Sequence, residues 1–401
     1  MLTARRRRQL ERNITVYYIL RILVKRLVWP ILTIFLVRNQ LSPTEIGTIF
    51  AASTIVGLIL EVPSGAIADR IGRRNAMALN FLGGAVSMFL FWIGDSFAVF
   101  LVAQITYQAA GTLWTGTNEA FLYETLHELN RTDELKRITG RALALSQWFT
   151  GALFVFVPIL ATWSLDVPFL LNCIVLIGGA LLARSLIEPA RTTSVARAEI
   201  GRDFFGFRAF ITNRPLFIGA LFFASVGGID GILQDFRQIY LEAIGVDLVY
   251  FGFVYLGLRI VTGLAGVAAA GIERRIGPRG VILCIPAVAL VAYVALSLVN
   301  QWYGVLFLVL DGLEEGLTRP IEQERLQGLI DGRQRATMLS ISNLLEGLIR
   351  AGVVFIGGIV IDHGGIHAGF ALAAALVIIV VGPLTWRFLR MVPARHPAAL
   401  T

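Results

Sequence analysis

From about residue 15 onward, apolar runs of 18 residues or more recur to the end of the chain, separated by short polar stretches rich in arginine. Such runs predict bilayer-crossing helices, because a hydrocarbon core of about 30 Å needs about 20 apolar residues at 1.5 Å of rise each. Twelve spans are expected, at 15–37, 43–63, 76–93, 97–123, 138–162, 168–187, 215–241, 249–271, 281–299, 303–328, 336–361 and 367–389. No interval is long enough for a separate soluble domain. The chain reads as all-α and integral to a membrane.

The polar intervals set an orientation. With the N-terminus inside, alternate intervals carry 23 Lys or Arg on the inner side, and the outer loops carry only Arg38. That asymmetry predicts two cytoplasmic termini and a multi-pass protein of a prokaryotic inner membrane. Composition agrees: 56% of the 401 residues are hydrophobic and 15% charged, where a soluble chain carries about 25% charged. The net charge of +8 is therefore topology charge rather than a nucleic-acid footprint. Five arginines (Arg5 to Arg8 and Arg12) precede a first span too long for a signal peptide, so it reads as a retained helix. Cys173 and Cys284 fall inside spans and read as buried thiols. The four histidines lie at span ends or outside them without cysteine partners, so no metal site and no cofactor are expected.

The two halves repeat. A shift of 205 residues aligns Gly47 with Gly252, Val56 with Val261, Ile71 with Ile276, Gly72 with Gly277 and Arg74 with Arg279. The expected organisation is a six-helix bundle over 1–188, a cytoplasmic linker over 189–214 and a second six-helix bundle over 215–401, related by pseudo-symmetry. Parallel repeats of this kind place a substrate path at their interface, near mid-membrane.

Charge inside a span costs about 2.5–3.5 kcal/mol per residue on insertion scales, so its placement carries information. Spans three, nine and twelve have no ionisable residue before their inner ends, span six has only Arg184 near its end, and these four are expected to face lipid. Spans one, four, seven and ten are polar: Arg21, Lys25 and Arg26; Gln108 and Glu119; Asp230 and Gln234; Asp311, Glu314, Glu315 and Arg319. Together these eleven residues are the candidate substrate and proton site. Asp311, Glu315, Arg319 and Glu322 share one helical face, and Pro320 is expected to interrupt their helix. Close carboxylates at mid-depth raise one another's pKa and make a protonatable site. Structural ion pairs between helices are the alternative for each charge, and Glu346 with Arg350 have the i, i+4 spacing of an internal pair. Tyr107, Trp114 and Tyr255 are candidates to stack on a ligand, or to serve as packing.

The interval after span two reads "GAIADRIGRR". Gly65 allows close approach of helix ends, Gly72 allows a tight turn, Asp69 can face a helix N-terminus, and Arg70, Arg73 and Arg74 can pair with carboxylates. This stretch resembles the G-x-x-x-D-R-x-G-R-R loop of the major facilitator superfamily, and the doubled six-span pattern extends the resemblance over essentially the whole chain. The resemblance implies a conformational gate. Asp69 would contact the start of span eleven, and Arg73 would pair with an acid at the inner end of span four, Glu124 first and Glu119 second. "EVPSG", "NEAFLYETL" and "RATMLS" look like a bacterial subgroup of drug and metabolite permeases. The Gly-Pro…Gly-Gly signature of drug:proton antiporters is absent from "SQWFTGALFVFVPIL", and Arg274 stands where the repeat would place Asp69.

The expected function is secondary active transport of a small solute by alternating access, proton-coupled, with efflux of drug-like or amphipathic compounds preferred. Proton-coupled uptake of a nutrient or organic anion is the alternative, and a non-transporting membrane sensor or scaffold is the alternative of another class. No P-loop, HExxH, GxSxG or Cys/His cluster occurs, so no enzyme is expected. The expected partners are the substrate, protons and the bilayer, with the chain a monomer and no nucleic acid bound.

Overall fold

Why these segments become helices is visible at their ends. Ser42 and Glu45 form a reciprocal cap, in which the Ser42 amide donates to Glu45 Oε2 at 2.9 Å and the Glu45 amide to Ser42 Oγ at 3.2 Å. Thr3 and Asn213 accept amides of their own first turns. A computed structural model describes the backbone of residues 3–190, 210–329 and 335–392, and all their side chains except those of 335–339. The predicted linker and the extreme termini fall largely outside this range.

The helices are α1 (Ala4–Leu23), α2 (Leu32–Arg38), α3 (Pro43–Ile71), α4 (Arg73–Ile93), α5 (Phe97–Thr112), α6 (Thr117–Glu128), α7 (Leu135–Ala161) and α8 (Val167–Arg184). They continue as α9 (Arg214–Ala243), α10 (Leu248–Leu298), α11 (Val305–Gly328), α12 (Arg335–Leu376) and α13 (Gly382–Leu389), with no strand among the described residues. Eight segments among the described residues are long and apolar enough to cross a membrane. Two of these contain a glycine where helices meet: Gly277, with φ 77° and ψ 168°, and Gly365, with φ 77° and ψ 173°. The charges of α1 and α11 keep those two helices out of the eight.

The chain forms two compact units. The first comprises Met1–Leu41, Ala52–Ser194 and Leu248–Gly252, and the second Ser42–Ala51, Val195–Asp247 and Phe253–Thr401. In the first unit, Phe35, Phe91, Phe100 and Phe169 pack ring against ring, with centroids 4.2–6.4 Å apart. Helix α4 packs on α5 and α8 and leaves Leu79, Leu82, Val86, Phe89 and Ile93 exposed at three- and four-residue spacing. Helix α8 does the same with Leu171, Ile174, Ile177 and Leu181. These apolar stripes suit a lipid solvent, where burial brings no hydrophobic gain and exposure no loss. In the second unit α9 is the central element: its Asp230, Asp235, Arg237 and Gln238 are all buried.

Three expectations about continuity are corrected. The first span is not one helix, because α1 ends at Leu23, a single 3₁₀ turn covers Trp29–Ile31 and α2 begins at Leu32. The fourth is also broken, with Leu113 to Gly116 between α5 and α6 and Gly116 at φ 73°. Pro320, expected to interrupt its helix, sits inside a continuous α11. Pro30 supplies the physical reason in span one, since it has no amide to donate back along the helix.

Candidate functional site

The loop after α3 turns at Gly72, whose φ of 94° and ψ of 149° are open to glycine and costly for other residues. The turn leaves the amides of Arg73 and Arg74 unpaired at the start of α4, and the Glu188 carboxylate accepts both, at 2.6 and 3.0 Å. Arg74 reaches the Leu186 carbonyl at 3.3 Å. The segment carrying Glu188 is held from two other helices. Asn13 exchanges two hydrogen bonds with the Ile187 backbone, and Arg6 donates to Glu128 at 2.8 and 3.0 Å and to the Glu188 carbonyl at 2.8 Å. The hydrogen bond to Glu128 holds the Arg6 guanidinium above its ordinary pKa.

Arg73 lies 3.1 Å from Asp69 and 3.6 Å from Glu124. Glu119 is exposed in the first turn of α6, and Arg70 is exposed. Open space surrounds the point where a Cβ would stand on Gly65, so no close helix approach requires that glycine. The first side chains of the helix expected to meet Asp69, at 335–339, lie outside the described residues.

The two breaks meet at a cavity of about 240 Å³ within the first unit, lined by Arg21, Lys25, Arg26, Asn80, Tyr107 and Trp114 among others. Lys25 and Arg26 sit in the gap between α1 and α2, so backbone irregularity and cationic charge coincide. Arg26 is buried, with its guanidinium carbon 4.4 Å from the Tyr107 ring centroid and 5.2 Å from that of Phe91. Arg21 donates to Asn118 at 3.2 Å. Gln108 packs on Gly57 and is not one of the lining residues.

The second unit holds a separate polar network. Arg237 binds Asp311 at 2.5 Å, and Asp230 is near enough to Asp311 to act on it electrostatically. Asp230 accepts from Gln234 at 2.5 Å and from the Tyr293 hydroxyl at 3.3 Å. Arg350 joins Gln234 at 3.2 Å to Asp235 at 2.8 Å. Buried Glu314 accepts from Thr318 at 2.5 Å, and half-buried Glu315 takes Thr262 at 3.5 Å. Arg319 is exposed and pairs with Glu346 at 2.9 Å and Glu322 at 3.4 Å. The expected internal pair of Glu346 with Arg350 is corrected, because each takes a partner on a different helix. Helix periodicity shows only neighbours on one helix, so Tyr293 and these partners were not legible from it. Tyr255, a candidate to stack on a ligand or to serve as packing, accepts from Gln238 at 3.1 Å and lies under Arg237 at 5.5 Å.

A family model of the Major Facilitator Superfamily matches residues 14–350. The chain belongs to the major facilitator superfamily. Its fold is the all-α membrane fold of that superfamily, and it is a transporter rather than an enzyme. The nucleoside transporter NupG superposes with a TM-score of 0.79 at 13% identity, over 95% of this chain and 98% of that one. A bacterial homologue of the lysosomal transporter Spinster, inward-facing and unoccupied, superposes with 0.73 at 15% identity, over 96% and 97%. At such identities these likenesses bear on fold alone. The MFS-type transporter YxaM of Bacillus subtilis is 31% identical over 93 residues, 23% of each chain. The quinolone resistance protein NorA of Staphylococcus aureus is 27% identical over 79 residues, 20% of each. The matched stretch thus spans less than a quarter of either curated relative.

Proposed function

We propose that this major facilitator transporter couples the export of drug-like or amphipathic small molecules to the inward movement of protons. One observation carries the reading. The polar interior of the second unit contains four buried acids, Asp230, Asp235, Asp311 and Glu314, against two guanidiniums, Arg237 and Arg350, that pair with two of them. Buried uncompensated charge is costly, and buried acids in excess of their guanidiniums need protons to offset it. Protons are therefore the counter-charge this network calls for.

Export is favoured by the likeness to NorA, a quinolone resistance protein. The gate reading of Asp69, Arg73 and Glu124 belongs to the same proposal, as do a monomeric state, two six-helix halves joined by a linker at 189–214, and an inner-membrane location with both termini cytoplasmic on the charge asymmetry. The test is flux in reconstituted vesicles, read with fluorescent aromatic compounds of charge −1, 0 and +1. An inward proton gradient should accelerate export, and Asp230→Asn with Glu314→Gln should abolish that acceleration while leaving solute exchange. Equal flux with and without the gradient overturns the proposal.

A further inference from the structure

We infer that the cavity between the two broken passes of the first unit is a binding site for a small aromatic monoanion, a ring bearing a carboxylate or comparable acid. The inference rests on the transport reading above and adds the charge class of what is carried. Three of the ten lining residues, Arg21, Lys25 and Arg26, are cations, and no carboxylate is among the ten. A cationic ligand would meet like charge there, which costs several kcal/mol across a desolvated contact on the order of that in protein interfaces. An anion meets the Arg21 guanidinium, whose planar fork matches a carboxylate with two parallel hydrogen bonds, and the Lys25 ammonium, with the buried charge of Arg26 alongside.

Shape narrows the ligand further. Tyr107 and Trp114 supply flat apolar walls, and Gly84 and Gly111 keep the lining shallow at two points. At roughly 30 Å³ per water, the 240 Å³ of this cavity holds about eight waters, or one substituted ring. The Arg26 guanidinium, already stacked on Tyr107 at 4.4 Å, is fixed in place before a ligand arrives. Pre-fixing lowers the ordering cost of binding. The break that carries Lys25 and Arg26 places both on irregular backbone at the cavity rather than on a regular helix face.

The discriminating probes are benzoate, benzamide and benzamidinium, which share one shape and carry −1, 0 and +1. Equilibrium binding to the purified full-length protein at pH 8 should follow the order benzoate, then benzamide at least tenfold weaker, with benzamidinium unbound. Lys25→Gln and Arg21→Gln should each weaken benzoate by about tenfold, the scale of one hydrogen bond to a charged group. These two variants are chosen over Arg26→Gln because Arg26 is buried and its loss endangers folding. Benzamidinium binding as tightly as benzoate, no benzoate binding, or unchanged affinity in both variants overturns the proposal. The two readings fail separately. Benzoate binding without gradient-driven flux removes the coupling and leaves the site, whereas gradient-driven flux indifferent to ligand charge removes the anion class and leaves the coupling.

Discussion

Glu188 shows how one residue can organise a loop without any local sequence signal. It lies 115 positions from Arg73 along the chain, and a carboxylate after a sixth span looks like ordinary topology charge. Only the fold brings it over the α4 N-terminus, where two amides and the positive end of the helix await an anion. Removing it as Glu188→Ala should cost about 1–2 kcal/mol, the scale of a lost helix cap with its dipole contribution. Glu188→Gln, which keeps an acceptor and drops the charge, should cost less. The complementary change is Gly72→Ala, which forces a Cβ to φ 94° and to 3.0 Å from Glu188 Oε1; backbone strain of this kind costs about 1–3 kcal/mol. Thermal unfolding in detergent reads all three, and a Gly72→Ala protein as stable as wild type would show that the turn can relax.

Within elements, apolar periodicity located helices but not their interruptions. Hydropathy averages over a window, so a span carrying Lys25, Arg26 and Pro30 still reads as a span. The coincidence of a charged pair with a proline four residues on was the available sign of a break, and it was read only as charge. In α11 the same reasoning erred the other way, because Pro320 is accommodated without ending the helix. The acids of α9 and α11 were legible by type and depth; their partners were not, because Arg237–Asp311 and Arg350–Asp235 each join helices far apart in sequence. That pairing predicts an asymmetry. Arg237→Leu alone leaves Asp311 buried without its guanidinium and should destabilise by about 3–5 kcal/mol, whereas Arg237→Leu with Asp311→Leu should recover most of the loss. Denaturation midpoints in the four-member cycle measure it, and additive losses would show that the pair is not an energetic unit.

Over the whole molecule, the 205-residue repeat reappears in the backbone. Gly72 and Gly277 adopt the same glycine conformation. Arg74 and Arg279 each donate to a backbone carbonyl just past the last helix of their own half, Leu186 and Val392. What does not repeat is the sign of the ion pair beside the turn. In the first half the cation stands at the turn and the acid on the fourth span, as Arg73 with Glu124. In the second the acid Glu273 precedes the turn and the cation Arg325 stands on α11. An ion pair thus stands beside each of the two turns, but not at shift-equivalent positions, since 205 residues before Glu273 and Arg325 stand Ala68 and Ala120. If pairing matters and polarity does not, Arg73→Glu should reduce transport at least tenfold, and adding Glu124→Arg should restore most of it. The pair is mostly shielded from water, with Glu124 7% exposed, so a repelling pair there should be felt as a loss of about 1.4 kcal/mol or more per tenfold. Export from vesicles, normalised to folded protein, measures the three variants. A double variant as inactive as Arg73→Glu would mean that the first-half polarity itself is required, by whatever Asp69 and its loop meet during transport.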